Sequence, residues 1–467
     1  MILKKLLTAA LPLSIAFGLS ACSSEETTSP VIPDTPVPVP ASSAAAVDPN
    51  PVVTPVATAK TYGILPTVAN ATGAMTWYNL WKATYFKTYE EEAAKYPSAA
   101  ASMDWAAIFA PYIASGLMPG RVIWDTSNDS YCVIEGATDS YKKRGCTVSE
   151  GVGYGMLLSY FAGDYATLNS LWTYNRGYRA YLGTSNLMPW RTGTYSYESL
   201  GSAANTSSAT DADLDIATSL ILTYYATGSE AYKADALLII KDLWDKEISP
   251  TYLIYSGDTP TWKKATSAYN LSYFSPVALK LFALIDPSHD WTKVLDTMYS
   301  FMINIQTAGT GVFPDWVDQN GAAINPNNNS ADKTYWMFHQ ESVRIPWRIA
   351  WDYYWTQDTR AAQVLNTLNA FIAAKAGVDA SNLEAAAKVM YSAVPGMADG
   401  SQATFSPHWH GAWCLTGMAG NQAWLDGCTT AFNARTITGF SYFPHILMTM
   451  YGELLNGLFV KPANLPF

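Results

Sequence analysis

Three short segments contain the residue types from which a hydrolytic site could be built. The first, residues 209–217 (ATDADLDIA), places three aspartates at alternate positions directly before an apolar run. Only 14% of the 467 residues are charged, so this concentration of carboxylates stands out. Such a cluster could supply acids and bases to a reaction, bind a metal ion or begin a helix.

A metal site is the weakest of these interpretations. A calcium loop that starts at Asp211 would need Gly at its sixth position and Glu at its twelfth, where Ile216 and Leu222 stand. His408 and His410 are two residues apart, a spacing that does not put both rings on one helical face. We therefore predict no metal and no cofactor.

The aspartate segment is typical of a helix start. Ser208 or Thr210 could cap the first turn, and early carboxylates suit the positive end of the helix dipole. Asp211 and Asp215 are four residues apart and would share one face, whereas Asp213 would point elsewhere. Capping explains two of the three carboxylates and leaves one available for chemistry.

Two further segments combine charge with unusual spacing. In residues 149–156 (SEGVGYGM), Glu150 opens a helix after Ser149, and glycines at alternate positions allow another backbone or a ligand to approach. In residues 339–348 (HQESVRIPWR), Glu341 and Arg344 lie one helical turn apart, with aromatic residues nearby.

Together these segments resemble glycoside hydrolase family 8. Residues 209–217 match the family signature throughout, and residues 149–156 match every fixed position of its general-acid motif. Smaller similarities are LMPW at 187–190 and NLSYFSP at 270–276, and the resemblance covers about residues 70 to 455. It implies an all-α fold, the (α/α)6 barrel, with single-step inverting hydrolysis of β-1,4-linked polysaccharide and no cofactor.

The resemblance also implies roles for two carboxylates. Glu150 corresponds to the general acid, which must stay protonated near neutral pH, so burial or a nearby carboxylate must outweigh the helix dipole. Asp211 corresponds to the residue that binds and distorts the sugar beside the scissile bond. It could also help to keep Glu150 protonated.

The general base is where the chain departs from the family pattern. Many members have Asp at the position of Glu341, and one additional methylene could displace the attacking water by about 1 Å, enough to slow the chemistry. Glu341 remains a candidate base if its backbone is set back. Asp315 and Asp332 are the alternatives, in which case Glu341 would only pair with Arg344.

Aromatic residues make up 13% of the chain, with 17 Trp and 30 Tyr, and such side chains can either stack on sugar rings or fill the core. The predicted substrate-binding residues lie in or beside the motifs. They are Trp124, Trp190, Tyr273, Asp315, Arg344 and Trp347.

The N-terminus has the features of an export signal. Lys4 and Lys5 precede a short apolar stretch, residues 6–18, which is too short for a stable membrane span. Residues 19–22 (LSAC) resemble a bacterial lipobox, so we expect residues 1–21 to be removed and Cys22 to be lipidated. The protein would then be anchored to the bacterial outer membrane or cell surface without spanning it.

Four other cysteines suit an oxidising compartment. We expect disulfides Cys132–Cys146 and Cys414–Cys428, each closing the same short interval, although four cysteines allow three connectivities. A zinc site is the competing interpretation, but no Cys-x-x-Cys spacing occurs.

The remaining chain divides into two parts. Residues 22–60 are rich in Pro, Ser, Thr and Ala, which favours an extended tether, and residues 61–467 form one catalytic domain. Apolar residues at three- and four-residue steps predict helices within residues 156–161, 214–225, 234–243, 277–284, 294–303 and 361–374. The net charge of −10 argues against nucleic acid as a partner, and we expect a monomer.

Two functions remain open on these observations. One is an endo-acting hydrolase of cellulose or other β-glucan, with xylan next and a chitosanase or reducing-end xylanase as further options in the family. The other is a surface glycan-binding protein that kept the barrel and lost turnover, an idea motivated by the altered base position. Specificity depends on loops around the cleft, which the motifs do not determine.

Overall fold

The computed structural model describes residues 63–95, 105–124, 146–183, 185–192, 207–264, 266–326, 332–437 and 441–467. Within these residues the chain forms fourteen α-helices. In chain order they are α1 (Ala71–Tyr85), α2 (Tyr89–Lys95), α3 (Trp105–Ala114), α4 (Ser149–Phe161), α5 (Tyr165–Leu182), α6 (Thr210–Thr227), α7 (Glu230–Glu247), α8 (Pro276–Ile285), α9 (Trp291–Ala308), α10 (Ile345–Thr356), α11 (Thr359–Ala373), α12 (Pro407–Leu415), α13 (Gln422–Asn433) and α14 (Tyr442–Leu455).

Six of these helices form a closed inner ring. Helices α4, α6, α8, α10, α12 and α14 each pack on the next, and α14 returns to pack on α4. The first five are each followed by an outer helix that packs against them, and α1 covers α14, so the first and last helices complete the barrel. This is the (α/α)6 barrel, and the predicted all-α fold is confirmed.

Burial distinguishes the two rings. Every residue of α4 except Glu150 is buried, because an inner helix contacts neighbours on all sides. An outer helix such as α9 instead buries one stripe, including Trp291, Val294 and Met298, and leaves its other face to solvent. Five of the six segments that the apolar spacing predicted as helical lie wholly within helices, and the sixth, 361–374, extends one residue past the end of α11.

Short strands connect the helices at the ends of the barrel. They are β1 (Phe86–Thr88), β2 (Gly120–Val122), β3 (Thr147–Val148), β4 (Arg191–Thr192), β5 (Met337–Phe338), β6 (Val389–Ser392) and β7 (Gly400–Ser401). All of the pairings are antiparallel, β1 with β2, β3 with β4, and β6 between β5 and β7. The β3–β4 pair matters for function because it lies directly before α4 and brings Trp190 beside the start of that helix.

A glycine allows α4 and α6 to approach closely. A Cβ atom added to Gly153 would lie 3.0 Å from the carbonyl oxygen of Ala212 and 3.0 Å from Cβ of Asp215. Any larger residue would push the two helices apart. The predicted role of these glycines in close backbone approach is thus confirmed at Gly153, and it brings the two motif helices together.

The helix starts differ from the predicted caps. Helix α6 begins after Ala209 without a side-chain cap, and α4 begins at Ser149, also without one. The Ser208 hydroxyl instead donates to Glu247 Oε1 over 2.5 Å, and the Thr210 hydroxyl donates to the Tyr255 carbonyl over 2.7 Å. The predicted hydroxyl caps at Ser208 and Thr210 are wrong because these groups hydrogen-bond to the end of α7 and to the segment that follows it.

A disulfide joins Cys414 of α12 to Cys428 of α13. Cys132 lies outside the described residues, so the pairing with Cys146 stays a prediction. Cys22, the signal segment 1–21 and the tether 22–60 also lie outside the described residues, so they stay predictions as well. None of the helices in the described part of the chain combines the length and hydropathy needed to cross a bilayer.

Candidate active site

The predicted acid and its partners meet at one end of the barrel. Glu150 is the second residue of α4, Asp211 is the second residue of α6, and Tyr442 is the first residue of α14. Glu341 and Arg344 lie directly before α10. The inner helices therefore begin at a common end, and their first turns carry the site.

One guanidinium group connects three carboxylates at this end. Arg344 Nη1 donates to Glu150 Oε2 over 2.7 Å and to Asp211 Oδ2 over 2.9 Å, and Nη2 donates to Glu341 Oε2. Residues that are far apart in the sequence are thus held in one cluster. Since one positive charge faces three acidic groups, retention of a proton within the cluster is favoured near neutral pH.

Glu150 has the environment of a general acid. Burial raises the pKa of its carboxyl group, the Glu341 charge raises it further, and the positive charge of Arg344 and a hydrogen bond from Tyr442 oppose this. The Tyr442 hydroxyl donates to Oε1 over 3.0 Å. The side chain remains 17% exposed, so its proton can reach a bound sugar. Burial thus outweighs the lowering of the Glu150 pKa that is expected at a helix start.

Asp211 is more deeply buried, at 2% exposure. Burial raises the pKa of its carboxyl group to about 7, against the opposing charge of Arg344 and with the Glu150 carboxylate adding to the rise. Its Oδ1 has no hydrogen-bond partner among the described residues. Asp211 can therefore hold a proton near neutrality and still offer one oxygen to a bound hydroxyl.

Glu341 is the most accessible carboxylate of the cluster, with a side chain that is 28% exposed. Arg344 and the Asn270 amide, the latter over 2.6 Å, both donate to Oε2. Within the described residues no donor contacts Oε1. One oxygen therefore fixes the carboxylate, and the other can accept a proton from a water molecule.

A second ion pair lies one helical turn below the cluster. Arg348 donates to both carboxylate oxygens of Asp215, over 2.7 and 2.8 Å, and both side chains are almost fully buried. Asp213 points away from this face and accepts a hydrogen bond from the Met188 backbone N–H over 2.8 Å. The predicted shared face of Asp211 and Asp215 is confirmed.

The two alternative base candidates lie in different environments. Asp315 is 4% exposed, and its Oδ1 accepts hydrogen bonds from the backbone N–H groups of residues 339, 341 and 342. Asp332 is partly exposed and accepts two hydrogen bonds from Thr334. In the described residues neither of them hydrogen-bonds to Arg344 or to a carboxylate of its cluster, and Asp315 contacts Glu341 only at its backbone.

Among the predicted substrate-binding aromatics, three are partly exposed. Trp124 lies after β2, Trp190 ends the LMPW motif directly before β4, and the Tyr273 ring centre lies 5.5 Å from the guanidinium carbon of Arg344. Trp347 differs, because it is fully buried and its ring packs against Tyr154 and Trp351. The prediction of substrate contact is wrong for Trp347, since a sugar has no access to the ring.

The structure adds two site residues that the sequence did not single out. Asn270 fixes Glu341, and Tyr442 donates to Glu150. Asn270 begins the NLSYFSP similarity, so its position beside Tyr273 was a usable signal. No sequence signal marked Tyr442, because spacing does not distinguish a tyrosine at the start of the last helix from the other tyrosines.

A possible metal-binding group lies elsewhere in the barrel. His410, Cys414 and Cys428 bring ligand atoms within 4.8 Å of one another, and all three side chains are buried. The two sulfur atoms form the disulfide described above, so they do not offer thiolate ligands.

Comparison with known proteins identifies the family of this chain. The sequence profile of the glycosyl hydrolases family 8 matches residues 92–408, about two thirds of the chain. The chain belongs to this family. The match includes both motifs and the segment with Glu341 and Arg344.

Relatives of this family 8 protein include an endoglucanase C and a beta-glucanase. The chain is 31% identical to endoglucanase C of Ruminiclostridium cellulolyticum over 232 residues, which are 48% of this chain and 46% of that protein. It is 30% identical to the beta-glucanase of Niallia circulans over 327 residues, 66% of this chain and 77% of that protein. The chain thus spans about half the length of the first of these relatives.

Solved structures of low identity support the fold. The apo structure of a beta-1,3-1,4-glucanase from Paenibacillus sp. X4 matches with a TM-score of 0.65 at 22% identity, over 88% of this chain and 99% of that chain. Rex8A from Paenibacillus barcinonensis, complexed with xylose, matches with a TM-score of 0.55 at 17% identity, over 74% of this chain and 86% of that chain. At these identities the likeness shows the (α/α)6 barrel alone.

Proposed function

We propose that this family 8 protein is an endo-acting, inverting glycoside hydrolase of β-1,4-linked polysaccharide, with β-glucan as the first choice of substrate and xylan as the second. The observation that carries the proposal is the Arg344 cluster, which holds Glu150, Asp211 and Glu341 together at the open end of the barrel. The relatives named as endoglucanases and a beta-glucanase favour glucan.

In this mechanism Glu150 is the general acid. It donates its proton to the glycosidic oxygen as the bond between that oxygen and the anomeric carbon breaks. The raised pKa of Glu150 keeps the carboxyl protonated before the reaction, and Tyr442 and Arg344 stabilise the carboxylate that forms. Asp211, with one unbonded oxygen, binds the sugar beside the scissile bond and adds to the retention of the Glu150 proton.

Glu341 is the proposed general base. Its Oε1 accepts a proton from a water molecule, whose oxygen attacks the anomeric carbon from the face opposite the leaving group. In inverting enzymes the acid and base stand about 6.5–9.5 Å apart so that this water fits between them and the sugar. The separation of Glu150 and Glu341 by the Arg344 guanidinium, with Asn270 fixing the other oxygen of Glu341, suits this arrangement.

The first experiment measures reducing-end release from carboxymethyl cellulose, mixed-linkage glucan, xylan and chitosan. The wild type should act on glucan first, and NMR should show the α-anomer as the initial product, because inversion converts a β-linkage. Glu150→Gln is the matched control, with similar shape but no acidic proton. Tight binding of oligosaccharide by the wild type without any hydrolysis would instead support the glycan-binding alternative.

The base is tested by chemical rescue. Azide can replace the attacking water without giving up a proton, so Glu341→Ala should lose activity and regain it in azide, with an α-glycosyl azide as product. Formation of this azide product by the corresponding variant of Asp332 instead would assign the base to Asp332.

We also propose that the protein is exported and lipid-anchored at Cys22, facing the polysaccharide at the cell surface. The positively charged start, the apolar stretch and the LSAC sequence support this. Metabolic labelling with a fatty acid should mark the wild type and spare Cys22→Ser. Labelling of both, or of neither, would contradict the anchor.

A further inference from the structure

The loop that presents Glu341 is organised around one buried aspartate. Asp315 Oδ1 accepts hydrogen bonds from the backbone N–H groups of His339, Glu341 and Ser342, over 3.2, 3.1 and 2.9 Å. The Ser342 hydroxyl adds a fourth, over 2.8 Å. A single carboxylate oxygen thus fixes the backbone of residues 339–342, which we call the base loop.

The second oxygen of Asp315 also faces the base loop. Oδ2 lies 3.4 Å from Nδ1 of His339, whose ring packs edge-on against Trp409. Converging N–H groups hold a carboxyl group in a fixed position, so the Asp315 side chain and the base loop fix each other. Asp315 is therefore engaged on both oxygens, and at 4% exposure it leaves little access for a water molecule beside a sugar.

A second contact holds the base loop from the opposite side. Nε2 of His408, in the first turn of α12, lies 3.1 Å from the Gln340 side-chain oxygen. Burial, with a smaller effect of His339, lowers the pKa of His408 to about 3, so the ring is neutral at ordinary pH and can donate from Nε2. Residue 340 is held from α12, while its neighbours are held by Asp315.

We propose that Asp315 is a positioning residue for the general base: it acts through the backbone of the base loop and places the Glu341 carboxylate, rather than activating water itself. This rests on the proposed function of Glu341. The physical reason is geometric, because a displacement of about 1 Å in a catalytic group can cost about 10²-fold in rate. The longer Glu side chain makes the position of its backbone more critical.

The test compares Asp315→Ala, Asp315→Asn and Asp318→Ala. Asp318 is the matched control, since its carboxylate also accepts two backbone hydrogen bonds in the α9–α10 connection but, among the described residues, bonds only to residues 320 and 322. We expect Asp315→Ala to lower kcat about 10²-fold with KM changed less than about threefold. Asp315→Asn, which keeps an accepting oxygen, should recover part of this loss, and Asp318→Ala should keep wild-type kcat.

Azide distinguishes positioning from direct catalysis. Asp315→Ala should form no glycosyl azide, whereas Glu341→Ala should form the α-glycosyl azide. Azide rescue of Asp315→Ala with that product would overturn the proposal and make Asp315 the base. An unchanged kcat in Asp315→Ala, or a loss that merely follows the folded fraction measured by circular dichroism, would overturn it as well.

Hydrogen exchange provides a measure that needs no activity. The amides of residues 339, 341 and 342 should exchange faster in Asp315→Ala than in the wild type, while the amides of α10 should not change. If the wild type hydrolyses no polysaccharide, the proposed function fails, and the exchange result still shows whether Asp315 orders the base loop. Unchanged exchange at these three amides would refute the positioning role.

Discussion

Helix α6 is joined to α10 and to the turn directly before it by two Asp–Arg pairs that have the same sequence spacing and different surroundings. In the deeper pair, Arg348 hydrogen-bonds to Asp215 alone among the described residues, and exposure is 0% and 1% for the two side chains. In the upper pair, Arg344 contacts Asp211 and also Glu150 and Glu341.

The two pairs differ in the number of carboxylates that each arginine contacts and in their exposure to solvent. In the deeper pair one positive charge faces one negative charge and both side chains are buried, so its role is to hold two inner helices in register. The upper guanidinium serves three carboxylates near solvent, so a proton is retained and the pKa of Asp211 is raised by burial to about 7. The same residue types thus stabilise the barrel at one level and prepare acid–base chemistry one turn above.

The largest expected effect is on catalysis at the upper level. Glu150→Gln removes the proton donor, and loss of a general acid costs about 10²–10⁴-fold in kcat. Thermal stability should not fall, since a neutral amide replaces a buried carboxyl. The measurement is kcat on a soluble glucan together with the melting temperature. Retained activity would remove Glu150 from the mechanism.

A substitution in the deeper pair should instead lower the stability of the fold. Asp215→Asn leaves the buried Arg348 charge without its partner, which costs about 3–5 kcal/mol of folding free energy in comparable cases. Chemical denaturation measures this loss. Asp245→Asn is the control, because the Asp245–Lys241 pair is largely exposed and its loss should leave the midpoint unchanged. Equal effects of the two variants would contradict the structural role of the deeper pair.

Arg344→Lys tests whether the fork geometry of the upper pair is needed. A lysine keeps the charge but cannot contact three carboxylates with fixed directions, so we expect kcat to fall about 10–100-fold. The basic limb of the kcat/KM profile reports the acid in the free enzyme. This basic limb should shift, because Arg344 lowers the pKa of Glu150 in the wild type and a lysine would not reproduce that contact. An unchanged profile would show that Arg344 has no influence on the acid.

The smallest effect is expected for a third acidic region, around Glu247. In the described residues this region contacts no arginine through a hydrogen bond. Glu247 is fully buried, and burial raises the pKa of its carboxyl from 4.5 to about 8, with Asp258 adding to this and the hydrogen bond from Ser208 opposing it. A raised folded-state pKa means that the folded state binds the proton more tightly. Its contribution to stability is therefore present below pH 4.5 and is lost as the pH rises towards 8.

The variant Glu247→Gln should remove part of this pH dependence. We expect the wild-type melting temperature to fall by a few °C between pH 5 and 8, on the basis of about 2–4 °C per kcal/mol in domains of 150–250 residues. The fall should be smaller in Glu247→Gln. Glu230→Gln, at the exposed start of the same helix, is the control and should follow the wild type. A parallel fall in all three proteins would exclude Glu247 as the source.

The sequence by itself determined the local features. Apolar spacing located the helices because a buried face imposes a 3.6-residue period whatever the partner is. The two motifs identified the family and predicted Glu150 as the general acid, and four-residue spacing put Asp211 and Asp215 on one face. Hydroxyl caps at Ser208 and Thr210 were predicted wrongly, because both hydroxyl groups donate to acceptors in or after α7 instead of accepting from the N–H groups of the helix start.

Only the tertiary structure decided how distant segments meet. Arg344 joins residues 150, 211 and 341, and Tyr442 reaches Glu150 across 292 positions of the chain. The sequence favoured Glu341 as the base but left Asp315 and Asp332 open as alternatives, since all three are carboxylates in plausible segments. Ring closure determines which carboxylate faces the cleft and which one turns inward to accept backbone N–H groups, because that choice depends on which helix ends become neighbours.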